Sequence, residues 1–188
     1  MDGYQGAWGF TLTECIIVLL IAGLLLAIGI PAYSRLHRDL TLTSEYNRVL
    51  AAMRLARRTA VTRGQATVLC TAVSARSCSE SANWNDGWLL FSDPNGDESC
   101  TDADGNGMCD ADGGRIVTVG AESPLTIRGN DPVEHYIRFT PTGHAWGYMG
   151  TLSICDDRGV AHAQGLVLRM SGRVRLGTAS NAPSLHCP

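Results

Sequence analysis

This 188-residue sequence predicts an α+β fold, one long amino-terminal helix followed by an antiparallel β head. Three observations predict it. Cys15 to Tyr33 is a run of 19 residues without a charge. Behind it Leu42, Tyr46, Val49, Leu50, Met53, Ala56 and Ala60 recur at three- and four-residue spacing, the stripe of an amphipathic helix whose apolar face needs a sheet to cover. From Ala66 onward the texture changes to short β-rich runs separated by Gly, Asn, Asp and Pro.

At about 1.5 Å per residue the uncharged run makes a helix of roughly 28 Å, enough to cross the hydrocarbon core of a bilayer. The chain is therefore expected in a membrane at some stage. Glu14 stands one residue from the edge of this run. A carboxylate costs about 2.5 to 3.5 kcal/mol at mid-membrane and less near the interface, so Glu14 is expected to have a partner, the amino group of a neighbouring or identical chain. Pro31 removes one backbone hydrogen bond and is expected to kink or loosen the helix. Gly64, tolerant of a left-handed backbone, is expected to end it. A removable secretory signal would carry a basic leading segment and a small-residue cleavage site after the apolar run. Here Met1 to Gly9 has no Lys or Arg, and Pro31-Ala32-Tyr33-Ser34 continues into a helical pattern.

The expected strands are Thr67 to Ala72, Trp88 to Ser92, Arg115 to Val119, His135 to Thr140, Thr151 to Cys155, Gly165 to Met170 and Arg173 to Leu176. Together they suit one compact domain of roughly 130 to 150 residues, with antiparallel sheets forming a head.

The formal charge of -3 is unevenly spread. Seven arginines fall between Arg35 and Arg63, and seven acids with no base between Asp93 and Asp112. Arg54 and Arg58 share one edge of the amphipathic helix, read first as a solvated face and second as a contact for other subunits or phosphates. Of seven cysteines, Cys15 lies in the apolar helix and is expected to stay a free, packed thiol. The other six, on the exported side, suggest disulfides in one of 15 connectivities. The preferred set joins Cys70 with Cys78, Cys100 with Cys109 and Cys155 with Cys187, because each pair closes at a plausible turn or strand pair.

Asp102-Ala103-Asp104-Gly105-Asn106-Gly107 fits the opening of a calcium loop, with Asp110 where a ninth-position ligand would fall. The closing Glu is missing, since Gly113 stands there, and a solvated acidic turn is the competing reading. On a strand, Arg169, Arg173 and Arg175 would project together, while Leu168, Met170, Val174 and Leu176 point the other way. Trp84, Trp88 and Phe91 are expected in the core, and would stack bases only if exposed. The sequence holds no P-loop, no Gly-x-Ser-x-Gly and no HExxH, so no enzyme and no cofactor is expected.

Gly9-Phe10-Thr11-Leu12-Thr13-Glu14 before an apolar helix resembles the class III signal of type IV pilins and pseudopilins. The resemblance implies cleavage by a prepilin peptidase between Gly9 and Phe10, N-methylation of Phe10, and Glu14 as the fifth mature residue. The leader departs from the usual basic character by carrying Asp2 and no base. The head resembles the GspH/FimT group of minor pilins and H-type pseudopilins. The likeness runs over Leu55-Ala56-Arg57, Arg63-Gly64-Gln65, Val68-Leu69-Cys70 and Trp84 to Phe91, then Phe139-Thr140-Pro141-Thr142-Gly143, Leu152 to Asp156 and Ser171-Gly172-Arg173-Val174-Arg175. Arg58-Thr59 stands where the family usually has Ser-Glu, and the Cys100 to Cys109 loop looks like an insertion.

The implied organisation is a leader at 1–9, a membrane-spanning or filament-core helix at 10–33, the amphipathic half of the helix at 34–64 and a periplasmic head at 65–188. The implied place is the bacterial inner membrane, single-pass, and then a pilus or pseudopilus. The implied partners are prepilin peptidase and other pilins, minor pilins or pseudopilins. Three roles stay open: a minor type IV pilus subunit, an H-type pseudopilin of type II secretion, and a DNA-binding minor pilin. In FimT-like members Gly-Arg-x-Arg is implicated in DNA binding, which implies Arg173 and Arg175 here, with Arg169 beside them.

Overall fold

The computed structural model describes residues 11–73, 76–111 and 113–187. One helix, α1 (Leu12–Arg63), precedes nine strands: β1 (Thr67–Val73), β2 (Ser77–Cys78), β3 (Trp88–Ser92), β4 (Ile116–Gly120), β5 (Thr126–Gly129), β6 (Tyr136–Phe139), β7 (Gly150–Cys155), β8 (Gln164–Leu168) and β9 (Val174–Gly177). The chain divides into two units, one up to Leu40 and one from Thr41 onward.

In the first unit every described side chain is exposed, including the apolar run. The helical assignment passes through Pro31 without a break, so the expected loosening does not interrupt the element. Of the described helices, α1 is long and apolar enough to cross a membrane.

In the second unit the sequence stripe becomes the buried face of α1: Leu42, Val49, Leu50, Ala52, Met53, Ala56 and Ala60. Gly64 ends the helix with φ +63°, and the Gln65 amide donates to the Ala60 carbonyl at 3.2 Å, a six-to-one closure that only a left-handed residue allows comfortably. Thr67 then ties the first strand back to the helix through Oγ1, which donates to the Ala56 carbonyl at 2.8 Å.

Two antiparallel sheets follow. In the first, β1 pairs with β3, β6 and, at its far end, β2, while β4 pairs with β3. The second runs in the order β5-β7-β8-β9. The inner faces of both sheets meet the helix in one core: Leu69, Leu90, Ile137 and Phe139 from the first sheet, Leu152, Ile154, Leu166 and Leu168 from the second, and Val49, Met53 and Ala56 from α1.

Each sheet has an outer face with its own small core, which explains why β1 and β3 read as continuous apolar runs. Over the first, Val68, Cys70, Leu89 and Phe91 pack with Cys100 and Cys109, so the loop that looks like an insertion covers the sheet with its cysteines, with Asp102 buried and Asp104 exposed. Over the second, Cys155 packs with Ala163, Ala182 and Leu185 of the tail. Disulfides staple both layers, joining Cys70 to Cys78, Cys100 to Cys109 and Cys155 to Cys187.

β2 and β5 went unread in the sequence, and the last strand begins at Val174, one residue beyond the expected Arg173. Met170 and Leu176 were expected to back the cationic strand with apolar surface, but they are exposed. Met170 sits in the β8–β9 turn, and Leu176 lies on an edge strand.

Candidate functional site

The helix start, the β8–β9 hairpin and the acidic loop are the three places where the sequence suggested function. Gly9 and Phe10, the expected cleavage pair, lie outside the described residues. Glu14 is described, and it closes a capping box. Its Oε2 accepts from the Thr11 amide at 3.0 Å and the Thr11 hydroxyl at 3.1 Å, while the Glu14 amide donates to Thr11 Oγ1 at 3.3 Å. The Thr-x-x-Glu spacing thus satisfies donors that the first turn of a helix leaves unpaired. The carboxylate remains exposed, able to accept further donors from outside the chain. Cys15, one residue on, is free and exposed in the isolated chain.

The β8–β9 hairpin brings the three arginines together. Arg175 faces Val167 across the ladder, and the Arg169 amide donates to the Arg173 carbonyl at 3.0 Å, so all three project from the same side of the hairpin. Val167 on that side packs into the outer core under the tail, so this face points away from the central core. All three arginines are exposed. None forms an ion pair among the described residues, although Arg175 approaches the Asn181 carbonyl at 3.3 Å. Asp156 is taken by Arg158, whose Nη2 lies 2.6 Å away. Burial works against the Asp156 charge, but the hydrogen bonds and charge of Arg158 prevail and hold its carboxyl below the usual range.

Trp84 and Phe91 are fully buried and Trp88 nearly so, which removes them from any surface role. The indole of Trp84 donates to the Val133 carbonyl at 3.1 Å. Among the described residues the exposed tryptophan is Trp146, 58 % accessible and stacked on His144 at 5.7 Å. Its neighbour Ala145 bonds to the Met170 carbonyl, placing this aromatic loop beside the arginine hairpin. Nothing in the sequence signals this, because a lone Trp between turn residues has no periodicity to declare its side.

In the acidic loop, one oxygen each of Asp102, Asp104 and Asp110 fall within 4.8 Å of one another. The loop already uses its oxygens internally. Asp102 accepts from the amides of Asn106 at 3.0 Å and Gly107 at 3.1 Å, Asp110 from Ala103 at 3.0 Å, and Asn106 Oδ1 from Met108 at 2.8 Å. Burial disfavours the Asp102 charge, yet these amides outweigh it and hold the carboxyl below its ordinary value. The three carboxylates thus converge on an acidic turn held by the Cys100–Cys109 bond.

An exposed apolar amino-terminal helix, continued by an amphipathic half that packs on an antiparallel β head, defines a pilin-like protein. Residues 45–172 match the family described as Type II transport protein GspH, and the chain belongs to that family. The fold is similar to that of type IV minor pilin FimU from Pseudomonas aeruginosa strain PAO1, seen in two crystal forms. One has a TM-score of 0.52 at 19% identity over 74% of this chain and 90% of that one; the other has 0.53 at 19% identity over 74% and 94%. No curated protein matches. The chain thus shares its family with type II transport protein GspH and its fold with a type IV minor pilin.

Proposed function

We propose that the chain is a minor pilin-like subunit, processed between Gly9 and Phe10 and assembled with other pilins through its amino-terminal helix into a type IV pilus or its tip. The observation that carries this reading is the apolar run of α1. Its leucines and isoleucines, from Leu12 at 78 % accessible to Ile30 at 65 %, have no cover in the chain itself. Exposed apolar surface on this scale requires lipid or like helices around it. Glu14, at the head of that run, then meets the new amino group of the adjacent subunit. It sets axial register, because an ion pair surrounded by lipid or packed helices is far less screened than one in water.

The test is Glu14→Ala in cells. The variant should insert in the inner membrane but stay out of filaments; normal incorporation sinks the register role. Mass spectrometry of the working protein should begin at Phe10. An H-type pseudopilin of type II secretion would share helix and head, and is told apart by deletion: loss of pili in one case, of secreted enzymes in the other.

A second reading, DNA capture during transformation, is favoured by the three outward arginines, which have no acidic partner among the described residues, and by the exposed Trp146 near them. Phosphate contacts from such a surface would be salt-dependent and blind to sequence, with the indole available for stacking. The purified protein should retard DNA in a gel at low salt, and Arg173→Gln with Arg175→Gln should remove the effect. No retardation at low salt ends this reading.

A further inference from the structure

A cleft of about 550 Å³ runs between the last turns of α1 and the β9 edge. Arg54, Arg57, Arg58 and Val61 line it from the helix, Arg173 from the β8–β9 turn and Val174 from the strand. Arg57 spends its Nε on the Gly143 carbonyl at 2.9 Å. Among the described residues no acid pairs with any of these four arginines, whereas Arg48, Arg138 and Arg158 each lie against a carboxylate. Four like charges converging on one cleft repel one another, and carboxylates placed between them would reverse the sign of that interaction.

The strand supplies a second, independent feature. β9 closes its sheet and has no neighbouring strand on its outer side among the described residues. The Arg169 amide donates to the Arg173 carbonyl, so the main chain of Arg173 faces β8. By antiparallel alternation the N–H and C=O of Val174 face outward, into the cleft. Open edges invite another strand, and charge along them selects which strand can come. Here the charge is uniformly positive.

We propose that this cleft receives an extended acidic segment of another subunit of the assembly, added as a strand along β9 with its carboxylates on the helix side, against Arg54 and Arg58. The proposal rests on the reading of the chain as an assembly subunit. Nucleic-acid phosphates would answer the arginines but leave the outward main-chain groups of Val174 and the apolar wall of Val61 unmatched. An extended peptide answers all three, as in strand addition to a sheet edge.

The full chain in detergent micelles is titrated with a fluorescein-labelled peptide of alternating Asp and Val. Controls are the same peptide with Lys for Asp, one with Pro for Val that keeps the charge but cannot pair as a strand, and a short single-stranded oligonucleotide. The Asp-Val peptide should bind, the Pro peptide about tenfold or more weaker, and the Lys peptide not at all. Arg54→Gln with Arg58→Gln should abolish binding with the thermal midpoint preserved, and Arg54→Gln alone, on the helix surface, should weaken it. Equal binding of the Pro peptide, binding that survives the double variant, or capture of the oligonucleotide alone overturns the proposal. If the peptide fails while Glu14→Ala is still excluded from filaments, the cleft proposal falls and the assembly reading stands.

Discussion

Gly172 and its neighbours in Gly-Arg-Val-Arg perform separate jobs. Gly172 has φ +71° and its amide donates to the Arg169 carbonyl at 2.8 Å, closing the hairpin turn. A Cβ there would sit 2.0 Å from the Gly143 carbonyl oxygen and 3.0 Å from Arg57 Nε. The glycine is thus demanded by packing between two turns, whereas Arg173 and Arg175 reach solvent and brace nothing in the core. Gly172→Ala should cost about 1 to 3 kcal/mol, the scale of left-handed strain joined to a clash that backbone must relieve. Arg173→Gln should stay within about 0.5 kcal/mol, as for other surface changes. Urea midpoints of the two variants check this; equal midpoints would mean that the turn is softer than its contacts require.

At the scale of elements, the sequence disclosed whatever had length and period. The buried face of α1 repeats the stripe read from Leu42 to Ala60, and β1, β3 and β7 appear almost where their apolar runs lie. β2 and β5 escaped because pairing, not composition, makes them strands. Ser77 and Cys78 bond to the end of β1 beside the Cys70–Cys78 staple, and Thr126 to Gly129 lies against β7 although it carries an arginine and a glycine. The cationic cleft was hidden for a related reason. Arg54 and Arg58 read as a solvated helix edge until the fold carries β9, from the far end of the chain, alongside them. Trp146 is the same case in reverse: a tryptophan is expected inside, and only the loop geometry turns it out.

The molecule as a whole joins its layers through charged and phenolic groups whose titration sets the pH range of the head. Tyr148 donates to Glu98, Arg138 lies 3.3 Å from Glu98 and 3.7 Å from buried Asp93, and the acidic loop is thereby tied to β6 and the Trp146 loop. Burial first, then the bond to Glu98, pushes the Tyr148 phenol well above its usual range, and burial likewise raises Tyr46 and Tyr136. The folded state resists ionising these phenols. Their stabilisation is therefore complete below about pH 10 and lost as pH rises through the folded values. Asp102 and Asp156 are shifted the other way, so their contribution is complete above about pH 4 and lost as pH falls through their lowered values. The thermal midpoint of the full chain in detergent should be level between these limits and fall on both sides. Asp156→Asn should reduce the acid-side fall, because the group whose protonation drives part of it is gone. A midpoint that climbs below pH 4 would show that the Arg158 pair and the amides around Asp102 are too weak to offset the burial of those carboxylates.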